Sequence, residues 1–351
     1  MSKSDTRQLK GLAILMMLWL HLFSDEETVR QCSYWLTYIN GMPLAYSLTR
    51  LASCCVPIYI FLGGYGLAAT YQTSPAHRLY GGRRALALMA NFWLIFLLFV
   101  PLGCMVNPSR YPGDALTFML NITAVGYNYN GAWWFLLPYV LLTLTASFFI
   151  SRCQHSSRHH DILLVSVLAV VHAGVYLLKT ALPLSDTWPV PGVLTLLNYV
   201  SMLLLFTLGI LAVKYRWLSS EGGWWRRVAN RKLAALCLVI LCLVKMLLGS
   251  SSLLNVPFVL LLIPLLLEVR GKRLEVRGKR KGLAAVLEFL GLHSCNMWLI
   301  HYFFYYMFGY LIYQLRYPLL MFLVLTAASL LCSMILRPLF EPIRKKIRNR
   351  E

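Results

Sequence analysis

Apolar residues occur in long runs along this chain, and short polar segments separate the runs. The ten runs are Gly11–Phe23, Val56–Thr70, Ala85–Cys104, Trp133–Ile150, Ile162–Leu178, Val193–Val213, Leu233–Leu248, Leu253–Leu267, Leu283–Ile312 and Leu319–Leu336. A helix needs about 20 apolar residues to cross a bilayer, so we expect the shorter runs to begin within their polar flanks or to tilt. The pattern predicts an all-α fold, a polytopic transmembrane helix bundle of about ten spans.

Composition supports a membrane protein, and the positions of the charges predict its orientation. The chain is 59% hydrophobic and 13% charged, whereas a soluble domain is about 25% charged. If ten spans alternate from a cytoplasmic N-terminus, 27 of the 33 Lys and Arg residues fall in cytoplasmic segments. This positive-inside distribution predicts that both termini are cytoplasmic. It also explains the net charge of +20 without nucleic-acid binding.

The polar segments are too short to form a soluble domain of their own. The longest are 24–43, 107–132, 214–232 and 268–282, and none would bury a separate core. We therefore expect one membrane-embedded domain over residues 1–351. The outer segment 107–132 is rich in Pro, Gly, Asn and Tyr, which predicts an ordered loop or a re-entrant segment.

The scarcity of acidic residues limits the chemistry that the chain can perform. Asp and Glu total 13, and nearly all lie in loops or at span ends. A coupled transporter usually needs a carboxylate at membrane depth, and a glycosidase-like site needs two facing carboxylates. The nine cysteines include no Cys-x-x-Cys pair, so we expect apolar packing from them and no metal site.

Histidine remains as the acid–base group, and two of the eight histidines draw attention. His21 lies within the first apolar run, eleven residues after Lys10, which places both on one helix face, about 16 Å apart along the axis. An ionisable residue at membrane depth is costly and marks a functional hypothesis. For His21, structural and catalytic interpretations both stay open. For His301, a packing hydrogen bond between helices competes with a catalytic role.

Five segments of the sequence match, in order, the motifs of one known family. The segments are Lys10-x10-His21, Val56-Pro-Ile-Tyr-Ile-Phe-Leu-Gly-Gly-Tyr-Gly-Leu67, Arg83-Arg84, Trp133-Trp-Phe-Leu136 and Ser294-Cys-Asn-Met-Trp-Leu-Ile-His301. Together they resemble the acyltransferase-3 family of bacterial integral-membrane acyltransferases that modify cell-surface glycans, and the resemblance covers almost the whole chain.

The resemblance implies a role for each matching position. It implies that His21 is the catalytic base and that Arg83 and Arg84 bind the phosphates of coenzyme A. Lys10 stands where the family often has Arg, which keeps the charge but loses bidentate phosphate recognition. Gly63-Gly64 stands where the family tends to have Ser-Gly.

Chemical reasoning from the residues agrees with this interpretation. Acyl-CoA is polyanionic and cytoplasmic, so it needs cations at the inner face, and Lys10, Arg83 and Arg84 are expected there. We expect His301 to join His21 in the catalytic group. The acceptor-binding candidates are Tyr127, Trp133, Trp134 and Asn296.

The sequence thus predicts an O-acyltransferase, most simply an O-acetyltransferase, of the bacterial cytoplasmic membrane. Acyl-CoA would be a co-substrate rather than a permanently bound cofactor, and the acceptor would be a glycan or a lipid-linked saccharide. The competing interpretations are a saccharide transporter or flippase that performs no chemistry, and a membrane scaffold or sensor.

Overall fold

The computed structural model describes residues 1–34, 37–39, 41–71, 77–182, 190–218, 231–249, 251–277 and 282–348. Helices dominate these ranges, and the all-α fold class is confirmed. The α-helices in the described ranges are α1 (Lys3–Phe23), α2 (Glu26–Cys32), α3 (Leu44–Ala52), α4 (Cys55–Tyr71), α5 (His77–Val106), α6 (Ala115–Ile122), α7 (Leu136–His155), α8 (Arg158–Ala181), α9 (Val190–Lys214), α10 (Arg231–Leu248), α11 (Ser252–Arg277), α12 (Leu283–Tyr313) and α13 (Pro318–Arg348). A small antiparallel hairpin pairs β1 (Tyr38–Ile39) with β2 (Met42–Pro43), and a 3₁₀ turn (Gly131–Phe135) precedes α7.

All ten apolar runs lie in helices. Within the described residues, seven helical segments are long and apolar enough to cross a membrane. They are Leu44–Tyr71, Gly81–Val106, Gly131–His155, Arg158–Ala181, Pro191–Lys214, Leu283–Tyr313 and Pro318–Ile347. The runs in α1, α10 and α11 fall outside this group because those helices carry charged residues or only a short apolar stretch. The count of ten spans and the orientation stay predictions, and parts of two basic loops on which the orientation depends, 219–230 and 278–281, lie outside the described residues.

The chain divides into two compact units. The first unit comprises Met1–Tyr59 and Tyr215–Ser333, and the second comprises Ile60–Lys214 and Met334–Glu351. Helices α4 and α13 are therefore shared between the units. The expectation of a single domain over residues 1–351 stays a prediction.

The closest helix pair of the first unit is formed by α1 and α12, whose backbones touch at two glycines. A Cβ atom on Gly11 would lie 2.0 Å from the carbonyl oxygen of Leu287, and one on Gly291 would lie 1.8 Å from that of Arg7. Small residues permit such close approach between membrane helices. The two backbones can meet here only because neither glycine has a side chain.

Hydrogen bonds at both ends show that α1 and α12 run parallel. Near their N-terminal ends, the Ser4 hydroxyl donates to a Glu288 carboxylate oxygen at 2.6 Å. Near their C-terminal ends, the Tyr313 hydroxyl donates to the carbonyl oxygen of Leu22 at 2.7 Å. The N-terminus of α1 is itself fixed by a capping box between Ser2 and Asp5. The pair is thus held in register over its full length.

The second unit uses the same device between α4 and α9. A Cβ atom on Gly64 would lie 2.1 Å from the carbonyl oxygen of Phe206, and one on Gly209 would lie 2.3 Å from that of Phe61. At the end of α9, Lys214 forms an ion pair with Asp161 near the start of α8. These contacts fix α4, α8 and α9 relative to one another.

Segment 107–132, which is predicted to lie outside, contains a helix and internal hydrogen bonds. Its helix α6 begins at the N-cap Asp114, whose side chain accepts from the Thr117 amide at 2.7 Å. The Tyr111 hydroxyl donates to the carbonyl oxygen of Tyr129 at 2.7 Å. Burial raises the pKa of the Tyr129 phenol to about 12, so it stays a neutral donor at physiological pH.

Candidate active site

The structure brings His21 of α1 and His301 of α12 into direct contact, although 280 residues separate them along the chain. Nδ1 of His21 lies 2.7 Å from Nε2 of His301. The two imidazole rings are nearly parallel, with 6° between their planes and 4.9 Å between their centroids. The parallel register of α1 and α12 is what places these two positions at the same level.

Backbone carbonyls determine which ring nitrogens carry the protons. Nδ1 of His301 lies 3.1 Å from the carbonyl oxygen of Met297 and 2.8 Å from that of Trp298. A carbonyl oxygen only accepts hydrogen bonds, so this Nδ1 donates, and Nε2 of a neutral His301 carries the lone pair. Nδ1 of His21 must then donate to that lone pair. Nε2 of His21 is consequently left with its own lone pair, as a base requires.

Exposure differs between the two histidines in a way that suits this arrangement. His301 is completely buried, whereas His21 is half-buried. Among the described residues, no group makes a hydrogen bond with Nε2 of His21. His301 is therefore fixed by the protein, while His21 keeps part of its surface exposed.

The surroundings of the pair are aromatic. The ring of Tyr302 meets His21 edge-on at 4.7 Å and His301 at 5.1 Å between centroids. Within the described residues, no three His, Cys, Asp or Glu side chains come together as metal ligands would. The chemistry that this geometry offers is proton transfer at His21.

Lys10 lies on α1 about three helical turns before His21. It is half-buried, and its carbonyl oxygen accepts a hydrogen bond from the Tyr59 hydroxyl at 3.1 Å. It directly precedes Gly11, one of the two glycines at the crossing of α1 and α12. Its predicted role as a cation for an anionic donor stays a prediction.

Arg83 and Arg84 lie on α5 in the second unit, and both are half-buried. An Arg84 Nη atom donates to the Tyr139 hydroxyl at 2.8 Å, and the guanidinium carbon lies 6.0 Å from the centroid of that ring. Gly63 leaves room for Tyr139, because a Cβ atom there would lie 3.0 Å from the ring. A serine at position 63 would crowd the phenol that now holds Arg84.

The four predicted acceptor residues are not brought together in one unit. Asn296 is buried on α12 in the first unit, while Tyr127, Trp133 and Trp134 belong to the second. Trp133 has no exposed surface, and its ring packs 4.8 Å from that of Phe92. Tyr127 and Trp134 are half-buried. Stacking on a sugar stays a prediction for these three aromatic residues, and for Trp133 it would require the ring to give up its packing against Phe92 and Phe96.

Sequence reasoning missed two features, the glycines of the α1–α12 crossing and the Tyr139 partner of Arg84. It noted the aromatic run at residues 302–306 that follows His301 but gave it no role. The spacing of Tyr302, Tyr305 and Tyr306 was a usable signal, since residues three and four apart share a helix face.

Comparison with known protein families identifies the class. The family model described as an acyltransferase domain, that of the acyltransferase-3 family, matches residues 7–337. The chain belongs to this family and is a membrane acyltransferase. Searches of the curated proteins and of the solved structures gave no significant match.

Proposed function

We propose that the protein is an integral-membrane O-acyltransferase in which His21 is the general base. It transfers an acyl group, most simply acetyl, from cytoplasmic acyl-CoA to a hydroxyl of a cell-envelope glycan or a lipid-linked saccharide. The observation that carries this proposal is the hydrogen bond between His21 and His301. It supports a neutral His21 with the lone pair of Nε2 available to a substrate.

The reaction follows from that tautomer. Nε2 of His21 takes the proton of the acceptor hydroxyl as its oxygen forms a bond to the thioester carbonyl carbon. The resulting tetrahedral intermediate breaks its carbon–sulfur bond, and the departing sulfur takes the proton back from Nε2. The products are the acyl ester and the free thiol of coenzyme A. Throughout the cycle, Nδ1–H of His21 keeps donating to His301, which supports the imidazolium that forms transiently.

His301 acts as a positioning residue in this proposal. Two carbonyl oxygens hold its Nδ1–H, so a neutral His301 cannot offer a proton to His21 from Nε2 without losing those bonds. It therefore selects one tautomer of His21 and one ring orientation. Such orientation by a third group is the general pattern for paired catalytic side chains.

Cationic side chains are expected to bind the donor. Coenzyme A carries several phosphate charges, and guanidinium groups bind phosphate with paired, charge-assisted hydrogen bonds. Arg83 and Arg84 are the candidates for this contact, with Lys10 as a further cation. The hydrogen bond from Arg84 to Tyr139 supports a fixed orientation for one guanidinium. The protein would act in the bacterial cytoplasmic membrane.

Comparison of envelope glycans tests the function directly. A strain that lacks the gene would be compared with its parent and with strains restored by the wild-type gene or by His21→Ala. Mild alkali releases ester-bound acyl groups, which can be measured by mass spectrometry. We expect the esters in the parent and the wild-type restoration, and their loss in the deletion and the His21→Ala strain. Equal acylation in all four strains would contradict the proposal.

Sealed vesicles test the direction of transfer. Right-side-out vesicles should acylate an outer-leaflet glycan only when acetyl-CoA is loaded inside. Movement of unmodified saccharide across the membrane, with no ester formed, would favour the transporter interpretation. Equal reaction with external acetyl-CoA would overturn the cytoplasmic origin of the donor.

A further inference from the structure

Three tyrosines extend the aromatic environment of the histidine pair along α12. Tyr302, Tyr305 and Tyr306 have spacings of three and four residues and so share one helix face. Their ring centroids lie 5.6 Å apart for Tyr302 and Tyr305, 5.1 Å for Tyr302 and Tyr306, and 5.4 Å for Tyr305 and Tyr306. We call these three residues the tyrosine cluster.

The cluster is joined to the base by direct contact. Tyr302 meets the ring of His21 edge-on at 4.7 Å. Tyr305 packs against Tyr313 at 6.2 Å, and the Tyr313 hydroxyl holds the carbonyl oxygen of Leu22, the residue after His21. The cluster is therefore fixed relative to His21 through both helices.

The cluster lies on one defined side of the histidine pair. Because α1 and α12 run parallel, Tyr305 and Tyr306 lie beyond His301 in the direction away from Lys10. All three tyrosines are half-buried, as is His21. A cationic group thus precedes the base along α1, and phenols follow it along α12.

We propose that the tyrosine cluster is the acceptor subsite and binds one pyranose ring, so that a ring hydroxyl reaches Nε2 of His21. This inference rests on the proposed function and adds to it the chemical class of the acceptor and the residues that hold it. A sugar ring has an apolar C–H face and a rim of hydroxyls. A phenol matches both, because its ring is apolar and its hydroxyl donates and accepts hydrogen bonds.

The chemistry of the donor assigns the cluster to the acceptor. The charged end of acyl-CoA requires cations, and the cluster consists of neutral phenols that follow the base on the side opposite Lys10. Phenols on one helix face also provide a rigid surface at low entropic cost, since each has only two side-chain torsions. The acceptor and the donor then reach the base from opposite directions along the α1–α12 pair.

Kinetics with simple sugars test the subsite. The probes are the methyl pyranosides of glucose, galactose and N-acetylglucosamine, with acetyl-CoA as donor and purified protein in lipid nanodiscs. Tyr306→Ala should raise the acceptor KM about fivefold, because the sugar loses the aromatic ring against which it packs. The donor KM should stay within twofold. Tyr306→Phe keeps the ring and should fall between Tyr306→Ala and the wild type.

Tyr310 supplies the matched control on the same helix. Its side chain is 77% exposed, so Tyr310→Ala makes the same chemical change one turn further on and should leave both KM values unchanged. Hydroxylamine supplies a second control, since this small nucleophile accepts an acetyl group without needing a sugar subsite. Tyr310→Ala should keep the wild-type rate with hydroxylamine after the uncatalysed rate is subtracted, and Tyr306→Ala should lose less activity with hydroxylamine than with the methyl pyranosides.

The controls separate failure of the subsite from failure of the proposed function. The proposed subsite is wrong if the wild type acetylates hydroxylamine but Tyr306→Ala has the same KM as the wild type for every methyl pyranoside. The subsite is equally wrong if Trp134→Ala raises the acceptor KM while Tyr306→Ala does not. If the wild type transfers acetyl to neither hydroxylamine nor any sugar, the proposed function fails first.

Discussion

Adding one methyl group at Gly291 should separate the two catalytic helices and stop the reaction. The Cβ atom of an alanine there would lie 1.8 Å from the carbonyl oxygen of Arg7, whereas ordinary contacts begin at 3.4 Å. The obstacle is backbone, so it cannot rotate away, and α12 must move from α1 by roughly 1.6 Å at this level. The bond between His21 and His301 is 2.7 Å long. A shift of similar size between the two imidazole rings would break this hydrogen bond.

The expected loss can be estimated from positioning alone. A misplacement of about 1 Å in a catalytic group can cost about 100-fold in rate. Overpacking itself costs about 1–3 kcal/mol, while alanine in place of glycine favours a helix by about 1 kcal/mol. We therefore expect Gly291→Ala to fold and insert but to lose about 100-fold in kcat, with the donor KM unchanged.

Gly309→Ala is the matched control, because it makes the same substitution on the same helix where a Cβ atom would meet nothing within 4 Å. Its kcat should stay within twofold of the wild type. Acetyl transfer would be measured for both variants in nanodiscs, with the folded fraction of each taken from its gel-filtration profile. A well-folded Gly291→Ala protein with half the wild-type kcat or more would refute the link between the crossing and the histidine pair.

Two further perturbations address the assigned roles. His301→Ala leaves Nδ1–H of His21 without its acceptor, and a buried unsatisfied donor costs about 1–3 kcal/mol, so kcat should fall about 5- to 150-fold at constant KM. His301→Gln offers an amide oxygen and should recover part of that loss; equal kcat for the Ala and Gln variants would contradict the tautomer assignment. Replacing Arg83 and Arg84 with Gln should weaken acetyl-CoA binding at least about tenfold, and more at low salt, because each phosphate contact is worth about 1.5–3 kcal/mol. The control is Arg152→Gln, at an exposed position on another helix. If the double variant keeps the donor KM of the wild type, Arg83 and Arg84 serve only to orient the chain in the membrane and do not bind the donor.

The helices could be predicted from the sequence because their signal is local. A run of apolar residues at membrane depth must form its backbone hydrogen bonds internally, which leaves a helix as the simple solution. His21 was also identifiable from local information, since an ionisable side chain in such a helix is costly. Neither conclusion depends on how the helices pack.

The pairing of His21 with His301 could not be predicted, because it arises from packing between segments that lie 280 residues apart. The tautomer depends in turn on the carbonyl oxygens of Met297 and Trp298, which no composition reveals. The sequence likewise suggested Trp133 as a sugar platform from its residue type alone. Its complete burial against Phe92 and Phe96 depends on tertiary contacts.

The most direct test of the account is the acetyl-transfer step itself in His21→Ala. Single-turnover transfer from radiolabelled acetyl-CoA would be measured in nanodiscs, beside the dissociation constant of acetyl-CoA for the same preparation. General-base catalysis contributes about 10²–10⁴ in rate, so we predict a rate at least about 100-fold below the wild type with donor binding within twofold. A rate of a tenth of the wild type or more, with donor binding unchanged, would contradict the assignment of His21 as the base.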